Sequence, residues 1–216
     1  MAVALIVAAG RGERLGLGQP KALVPVAGRP MLQWSVDALR GVGAVAQIVI
    51  ALPAEALDQA PTGTVAVAGG QFRSQSVRAA LQAAGPGDPV IVHDAARPLA
   101  SAQLFQRALS ELEHSGADAV IAARPVTETI KEAEDATVTR TVDRTRLWAV
   151  QTPQVFRRRA LQEALDDAEL LPQATDDAWL IEQRGGTVRV ISSEEPNLKV
   201  TTPEDLKLAE LLLGER

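Results

Sequence analysis

Two cationic residues accompany a glycine-rich segment near the start of the chain. The apolar run 2–7 leads directly into residues 8–16, AAGRGERLG, and the motif PKAL begins at residue 20. Glycines allow unusual backbone dihedral angles, so several amides of such a loop can face one phosphate group. Arg14 within the loop and Lys21 beyond it place positive charge beside those amides. The segment is therefore predicted to bind a triphosphate, with a simple tight turn as the alternative.

The glycine pattern differs from the two best-known phosphate motifs. A G-x-G-x-x-G fingerprint needs a third glycine where Leu15 stands, and no Gly-Lys-Ser/Thr follows as in a Walker A loop. Lysine usage points instead to individual residues, because the chain has 18 arginines and only four lysines. Lysine is a compact point charge, whereas arginine is a planar fork. Lys21 and Lys199, both in polar motifs, are therefore predicted to bind phosphates, with chance usage as the alternative.

A second charged motif, VHDAARP at residues 92–98, follows another apolar run. Asp94 at the carboxyl end of a strand, near Arg97, could position a metal ion or a substrate hydroxyl. A turn with a surface ion pair is the alternative. His93 and His114 are the only histidines and cysteine is absent, so a histidine-based triad or a zinc site is poorly supported. We expect His93 to be structural.

Short apolar runs alternate with segments of helical periodicity. Near-continuous hydrophobicity is typical of strands buried on both faces of a parallel sheet, and Leu32, Val36 and Leu39 show the helical spacing between two such runs. The alternation predicts an α/β fold with a doubly wound, mostly parallel sheet, in which ligands bind at the carboxyl ends of the strands. The apolar runs lie at 2–7, 47–52, 64–68, 90–92 and 117–122.

The alternation is interrupted at about 124–146. Two polar β-rich runs, 127–133 and 137–143, surround Glu134 and Asp135, and a polar hairpin of this size is marginal by itself. It is either a floppy excursion or an arm packed on a partner. The whole chain, 1–216, is predicted to be a single domain. Its terminal helix should begin after Thr202, which a proline follows, and no fused downstream enzyme is expected.

Composition excludes several classes of partner. Hydrophobic residues make up 46% of the 216 residues and the net charge is −5, so binding to nucleic acid is not expected. The longest basic run, 157–159, is predicted to lie on a solvated helix face. No segment approaches the ~18 apolar residues that a membrane span needs. The N-terminus lacks the basic region of a signal peptide, so we predict a cytoplasmic protein with no membrane partner.

In order along the chain, these motifs resemble the 2-C-methyl-D-erythritol 4-phosphate cytidylyltransferases of the non-mevalonate isoprenoid pathway. Two of the segments occur in many nucleotidyltransferases, but HDAARP, TPQ and KVTTPEDL are much more specific. The resemblance covers essentially the whole chain. The segments are AAGRGERLG, PKAL, GGQFRSQSV, VHDAARP, ETIK, TVDR, QTPQ, TDDA and NLKVTTPEDL.

The resemblance implies a Rossmann-like nucleotidyltransferase fold with a protruding β-hairpin arm for dimerisation. It implies transfer of CMP from CTP to 2-C-methyl-D-erythritol 4-phosphate, which gives 4-diphosphocytidyl-2-C-methyl-D-erythritol and pyrophosphate. A ribitol 5-phosphate cytidylyltransferase shares much of the pattern and is one alternative. A catalytically silent nucleotide-binding regulator is another, although the retained charged residues argue against it.

The resemblance also implies roles for individual residues. Asp94 would bind Mg²⁺ or another divalent cation, directly or through water, and the arm at 124–146 would join two chains into a homodimer. The implied catalytic residues are Arg14, Lys21 and Lys199. The implied CTP-binding residues are Ala8, Ala9, Gly10, Gly12, Arg14, Lys21, Gly70, Ser76, Asp94 and Ala95. The implied residues for the polyol phosphate are Asp94, Arg97, Thr129, Arg144, Thr152, Thr175 and Lys199.

Two positions depart from the family pattern. Gln71 stands where the family often has an acidic residue, so a contact to the base there would use an amide. Trp179 stands where the family usually has a small residue. These departures concern the base side and the substrate side of the predicted site respectively.

Overall fold

A seven-stranded sheet forms the centre of the molecule. The computed structural model describes residues 1–12, 15–16 and 18–214, so the predicted catalytic residue Arg14 lies outside the described residues. Within that part of the chain the strands, in order, are β1 (Ala2–Val7), β2 (Pro25–Val26), β3 (Arg29–Pro30), β4 (Val45–Leu52), β5 (Val65–Ala68), β6 (Val90–Asp94), β7 (Ala119–Pro125), β8 (Ile130–Glu134), β9 (Thr137–Val142), β10 (Trp148–Phe156) and β11 (Val188–Ser192).

The sheet has the order β11-β7-β10-β6-β1-β4-β5, and most of its strands run in parallel. Only β10 is antiparallel to its neighbours, β6 and β7. The predicted mostly parallel sheet is therefore confirmed, and the apolar run 2–7 coincides with β1. No strand was predicted where β10 and β11 lie. The polar residues at 151–154 interrupt β10, and β11 is a partly exposed edge strand, so neither has the continuous apolar run that marks the other strands.

Helices cover both faces of the sheet. The helices α1 and α3 pack on one face against side chains such as Ile6 and Ile50, while α2, α4 and α5 cover the other face against Leu5 and Val49. Successive residues of a buried strand thus contact opposite helical layers, which explains why the strands are apolar throughout. The helices are α1 (Met31–Arg40), α2 (Arg73–Ala83), α3 (Ala102–Ser115), α4 (Arg158–Leu165), α5 (Asp177–Gln183) and α6 (Pro203–Gly214).

Side-chain caps fix where α3 and α6 begin. The Ser101 hydroxyl accepts the amide hydrogen of Leu104 at 3.2 Å. At the start of α6 the Thr202 hydroxyl accepts the amide hydrogen of Asp205 at 3.2 Å, and the Asp205 carboxylate accepts the amide of Thr202 at 2.9 Å. This reciprocal cap confirms the predicted terminal helix. It also fixes the end of the segment that carries Lys199.

The predicted polar hairpin is present as β8 and β9. Its turn lies at Asp135 and Ala136, which have positive φ angles of 45° and 62°, one residue later than expected. Residues 131–141 are all exposed, so the hairpin contributes nothing to the core of its own chain. Within the part of the chain that the structure describes, no helix has the length and apolar character that a bilayer crossing requires.

The basic run 157–159 corrects one expectation. Arg157 donates to the carbonyl of Leu112 at 2.9 Å, and Arg158 donates to the carbonyls of Gly85 (2.7 Å) and Gly87 (2.9 Å). Only Arg159 is solvated, with 91% of its side chain exposed. The prediction of a solvated face is thus wrong for two of the three arginines, which bind carbonyl groups near the end of α3 and in the loop before β6.

Candidate active site

Parallel register brings the predicted motifs to one edge of the sheet. Val7 at the end of β1 lies beside Asp94 at the end of β6. On the other side, the amide of Gly69 donates to the carbonyl of Leu52 at 2.8 Å, which extends the β4–β5 pairing. The loops after these strands therefore enclose a cavity of about 240 Å³, as expected for the carboxyl ends of strands in an α/β sheet. Its lining comprises Val7, Ala8, Ala9, Gly10, Lys21, Ala22, Gly70, Gln71, Phe72, Arg73, Ser76, Asp94, Ala95, Ala96 and Lys199.

The glycine loop holds Lys21 against this first cavity. Gly12 has a φ angle of +70°, and a Cβ atom there would lie 2.9 Å from the Cβ atom of Lys21, so a larger residue could not fit. The amide of Lys21 donates to the carbonyl of Gly10 at 3.1 Å. The amides of Ala9 and Gly10 have no recorded acceptor among the described residues. The loop thus offers free amides beside a lysine, the arrangement that a phosphate group needs.

The opposite end of the first cavity is shaped by Ser76. Its hydroxyl is buried, accepts the amide hydrogen of Gly70 at 3.1 Å and donates to the carbonyl of Phe72 at 3.3 Å. Gln75 accepts the amide hydrogen of Gln71 at 2.9 Å. Ser76 therefore shapes the loop instead of presenting a free hydroxyl, and the exposed Gln71 and Phe72 supply the side chains of this end.

A second cavity, of about 340 Å³, adjoins the first. Three residues line both cavities, namely Arg73, Asp94 and Lys199. Arg73 Nε donates to Asp94 Oδ1 at 2.9 Å, and Lys199 Nζ donates to Asp94 Oδ2 at 2.7 Å. Arg73 also forms an ion pair with Asp177 through Nη1. The other residues of the second cavity are Arg97, Ile121, Val150, Gln151, Thr152, Gln154, Thr175, Asp176, Trp179 and Glu182.

These contacts determine the charge state of the junction between the cavities. Burial alone would raise the pKa of the Asp94 carboxyl, but the charges of Arg73 and Lys199 outweigh it and hold that pKa well below its usual range. Burial raises the pKa of Asp177, against the opposing effect of Arg73. Asp94 is therefore ionised at neutral pH, and two cations face it at the point where the cavities meet.

Two predicted substrate contacts form the wall of the second cavity. Arg97 is buried and donates to the carbonyls of Asn197 (2.7 Å) and Val150 (3.4 Å). The Thr152 hydroxyl accepts the amide hydrogen of Asp94 at 3.0 Å and is hydrogen-bonded to Nδ1 of His93, also at 3.0 Å. Both side chains thus use their polar groups within the protein. They fix the strand end at Asp94 and the loop before Lys199.

His93 has the structural role that we expected. It is fully buried, bonded to Thr152 and packed edge-on against Phe105 with the ring centroids 5.0 Å apart. Burial lowers the pKa of His93 to about 4, so the imidazole is neutral at neutral pH. A neutral, enclosed imidazole supports the position of Asp94 and has no access to either cavity.

Comparison with known proteins identifies the family to which the chain belongs. A family model described as 2-C-methyl-D-erythritol 4-phosphate cytidylyltransferase matches residues 2–215. The chain belongs to this family. A relative of that name from Nocardia farcinica is 46% identical over 221 residues, which cover 99% of this chain and 94% of the relative. Another from Deinococcus radiodurans is 46% identical over 212 residues, or 98% and 89% of the two chains.

Solved structures agree with this assignment. The crystal structure of 2-C-methyl-D-erythritol 4-phosphate cytidylyltransferase from Thermus thermophilus superposes with a TM-score of 0.83 at 35% identity and covers 98% of each chain. The 4-diphosphocytidyl-2C-methyl-D-erythritol synthase from Anaerococcus prevotii gives 0.85 at 28% identity, covering 99% of this chain and 98% of that one. This chain is therefore an enzyme of the cytidylyltransferase family, and its nucleotidyltransferase fold is confirmed.

The structure brings most of the residues predicted for this cytidylyltransferase to the two cavities. The exposed Thr175 lines the second cavity, as does Trp179, one of the two residues that depart from the family pattern. Ala95 lines the first cavity, but its amide donates to the carbonyl of Val7 at 3.1 Å and is not available to a ligand. The other departure, Gln71, lines the first cavity. Both departures thus face a predicted substrate pocket.

Among the described residues, three predicted site residues do not line these cavities, namely Gly12 in the glycine loop and Thr129 and Arg144 in the arm. Arg144 Nη1 donates to the Thr129 hydroxyl at 3.2 Å, and both residues lie exposed at the base of the arm. Neither contributes to the lining of the first or the second cavity. A role in substrate binding therefore requires that they reach the site of another chain.

The sequence prediction missed Arg73 and Asp177. Both stand in motifs that carried the resemblance, GGQFRSQSV and TDDA, but each motif by itself indicates only a loop or a helix cap. Arg73 is the first residue of α2 and Asp177 the first residue of α5. They meet only because these helices start at the same edge of the sheet, 104 residues apart in the chain.

Of the acidic residues that the structure describes, Asp94 alone lines both cavities. Among the described residues, no group of three histidine, aspartate or glutamate side chains could hold a metal ion. A protein cage for a cation is therefore absent from that part of the chain. One carboxylate beside two cavities nevertheless fits Mg²⁺, which is usually bound by one or two carboxylates together with substrate phosphates.

Proposed function

We propose that the two cavities hold the two substrates of the cytidylyltransferase reaction. CTP occupies the first cavity with its phosphates at the glycine loop and its base toward Gln71 and Phe72, and 2-C-methyl-D-erythritol 4-phosphate occupies the second. The observation that carries the proposal is the shared boundary of the cavities, where Asp94 lies between Arg73 and Lys199. The reacting phosphates would meet at this boundary.

The chemistry follows from this arrangement. An oxygen of the polyol phosphate attacks the α-phosphorus of CTP in line with the leaving pyrophosphate, so one phosphorus–oxygen bond forms as another breaks. A phosphate monoester dianion carries no proton that must be removed, so no general base is needed. Catalysis then depends on positioning and on compensation of negative charge. The family's product, 4-diphosphocytidyl-2C-methyl-D-erythritol, leaves with pyrophosphate and serves isoprenoid biosynthesis.

Three cations are proposed to compensate that charge. Lys21 faces the glycine-loop end of the first cavity and Lys199 faces the junction. Arg14 belongs to the same glycine loop in the sequence, outside the described residues, and its catalytic role rests on the family motif. Positive charge that is fixed before the reaction stabilises a pentacoordinate transition state without a cost of reorganisation. Ala8, Ala9, Gly10 and Gly12 would position the triphosphate, and Thr175 the polyol phosphate.

A divalent cation is general in this enzyme class, and we propose Mg²⁺. Asp94 would hold it through one carboxylate, directly or through water, together with phosphate oxygens. Bound there, the ion would neutralise charge on the phosphates. Both oxygens of Asp94 are paired with cations in the structure, so the carboxylate becomes available only when Lys199 turns to a phosphate.

The arm supports a proposed homodimer with shared sites. Val138 in the arm is 56% exposed, and Trp148 and Val150 at its base are 40% and 43% exposed, so apolar surface lies open in the single chain. A second copy would cover it in an isologous contact. Thr129 and Arg144 would then reach the partner's second cavity, where the Arg144 guanidinium can bind a phosphate bidentately. The single-domain organisation and the cytoplasmic location stay predictions.

Pyrophosphate release tests the proposed function. The enzyme is incubated with each of CTP, ATP and GTP, and with either 2-C-methyl-D-erythritol 4-phosphate or ribitol 5-phosphate. We expect release with CTP and the methylerythritol phosphate far above all other pairs, because a site that hydrogen-bonds one base edge rejects the others. Equal release from all nucleotides would contradict the base site, preference for ribitol 5-phosphate would contradict the substrate, and no release at all would indicate a silent nucleotide-binding regulator.

A further inference from the structure

Four charged side chains form a closed group at the junction of the two cavities. Arg73 binds Asp94 through Nε and Asp177 through Nη1, and Lys199 binds the second oxygen of Asp94. Asp94 and Asp177 have side chains only 9% and 1% exposed. The group contains two cations and two carboxylates, so its net charge is zero. Buried carboxylates require such pairing, because an unpaired buried charge is costly.

The two cations of this group are held very differently. Arg73 is 25% exposed and bridges two carboxylates that lie on β6 and α5, so it is fixed from two sides. Lys199 is 45% exposed, lies in the loop between β11 and α6, and has Asp94 as its recorded partner. An ion pair that is partly exposed contributes little stability, so it exchanges easily for another anion. Lys199 is therefore the exchangeable cation, and Arg73 is the permanent one.

We propose that Arg73 is a positioning residue of the cytidylyl transfer, which keeps Asp94 paired and oriented while Lys199 leaves that carboxylate for the reacting phosphates. The inference rests on the proposed function, since it assumes that phosphates arrive at the junction. Without Arg73, the departure of Lys199 would leave Asp94 buried without any cationic side chain until a divalent ion arrived, so Lys199 would stay on Asp94. Arg73 thus acts through Asp94 and Lys199, and it need not contact the substrates.

The test compares three variants with the wild type. In Arg73→Lys a single ammonium replaces the forked guanidinium and cannot bind both carboxylates as Arg73 does. Arg73→Gln removes the charge but keeps hydrogen-bond donors. We expect each to lower kcat by about tenfold or more while the KM for CTP changes by less than about threefold, because the loss arises in the transition state. Arg158→Lys is the control, since the Arg158 guanidinium also binds more than one acceptor, namely the carbonyls of Ala84, Gly85 and Gly87, but lies at the opposite edge of the sheet.

Measurements of circular dichroism and thermal unfolding accompany the kinetics, so kcat is given per folded enzyme. Arg158→Lys should lose stability yet keep the kcat of the wild type. If Arg73→Lys and Arg73→Gln behave in the same way, Arg73 serves only the fold and the proposal is wrong. Failure of both variants to fold would likewise assign Arg73 a purely structural role.

A double-mutant cycle separates action through Asp94 from action through Asp177. In an Asp94→Asn background, Arg73→Lys should change kcat by no more than about twofold, because the residue through which Arg73 acts has been removed. The same fold-change in both backgrounds would overturn the proposal. Failure of the proposed function itself looks different, since the wild type would then release no pyrophosphate from CTP with the methylerythritol phosphate.

Discussion

Replacement of Lys199 by methionine tests the junction most directly. The change keeps an unbranched side chain and removes the ammonium that lies 2.7 Å from Asp94 Oδ2. The Lys199 side chain is 45% exposed, so its resting ion pair contributes no more than about 1 kcal/mol to the free energy of unfolding. Asp94 also keeps its bond to Arg73. The variant should therefore fold and melt almost as the wild type does.

The effect on catalysis should be much larger than the effect on stability. Loss of one preorganised donor to a developing negative charge raises a barrier by about 3–4 kcal/mol. With about 1.4 kcal/mol for each factor of ten, kcat should fall roughly 150- to 900-fold. The effect on the barrier exceeds the effect on stability for a simple reason. Before the reaction Lys199 only exchanges Asp94 for a phosphate, whereas in the transition state it faces additional negative charge.

The assay is pyrophosphate release at saturating concentrations of both substrates. Lys207→Met is the matched control, because Lys207 is an exposed lysine on α6, only eight residues further along the chain, and lines neither cavity. It should keep the kcat of the wild type. A Lys199→Met variant whose kcat stays within about fivefold of the wild type would refute the assignment. A rise in KM alone would make Lys199 a ground-state binder.

Three further predictions concern other parts of the molecule. Lys21→Ala should lower kcat at saturating CTP by about a hundredfold or more, and a rise in KM alone would contradict this role. Lys21→Ala and Arg144→Ala homodimers should each be nearly inactive. After equal mixing and re-association, about half of the dimers contain one chain of each variant and keep one intact site, so about a quarter of wild-type activity should return. No recovery, with mixed dimers shown to form, would exclude a shared site. Folding lowers the pKa of His93 from 6.5 to about 4. The neutral imidazole therefore contributes fully to the free energy of unfolding above about pH 6.5, and this contribution is lost as the pH falls toward 4. The free energy of unfolding should thus decrease by about 3 kcal/mol over that interval. Urea titrations at several pH values measure it, and the His93→Gln variant should lack this part of the decrease. The control is His114→Gln, because His114 is exposed.

The sheet was largely predictable because its central strands are buried on both faces. Burial of this kind forces continuous apolar runs, and the run 2–7 coincides with β1. The strand β10 was not predicted because it lacks this feature. Its first half is exposed, and it is antiparallel to both neighbours. Such a strand is stabilised by pairing with its neighbours β6 and β7, and its own residues do not reveal that pairing.

The roles of individual site residues were less predictable than their positions. Arg97 and Thr152 do line the second cavity, but their polar atoms bind Asn197, Asp94 and His93. A motif can show that a polar residue follows a strand, but it does not show which groups that residue will satisfy. The partners come from distant segments of the chain, and a buried polar group pairs with those that the fold brings within hydrogen-bond distance.

The sequence by itself determined the order of the motifs and the α/β architecture, and it predicts the phosphate site, because periodicity, glycines and lysines act locally. Only the tertiary structure decided that Arg73 and Asp177, 104 residues apart, enclose Asp94 together with Lys199. That group exists because two helix starts and one strand end meet at the same edge of the sheet. Pairing of buried charges depends on distance in space, which the linear order of residues does not contain.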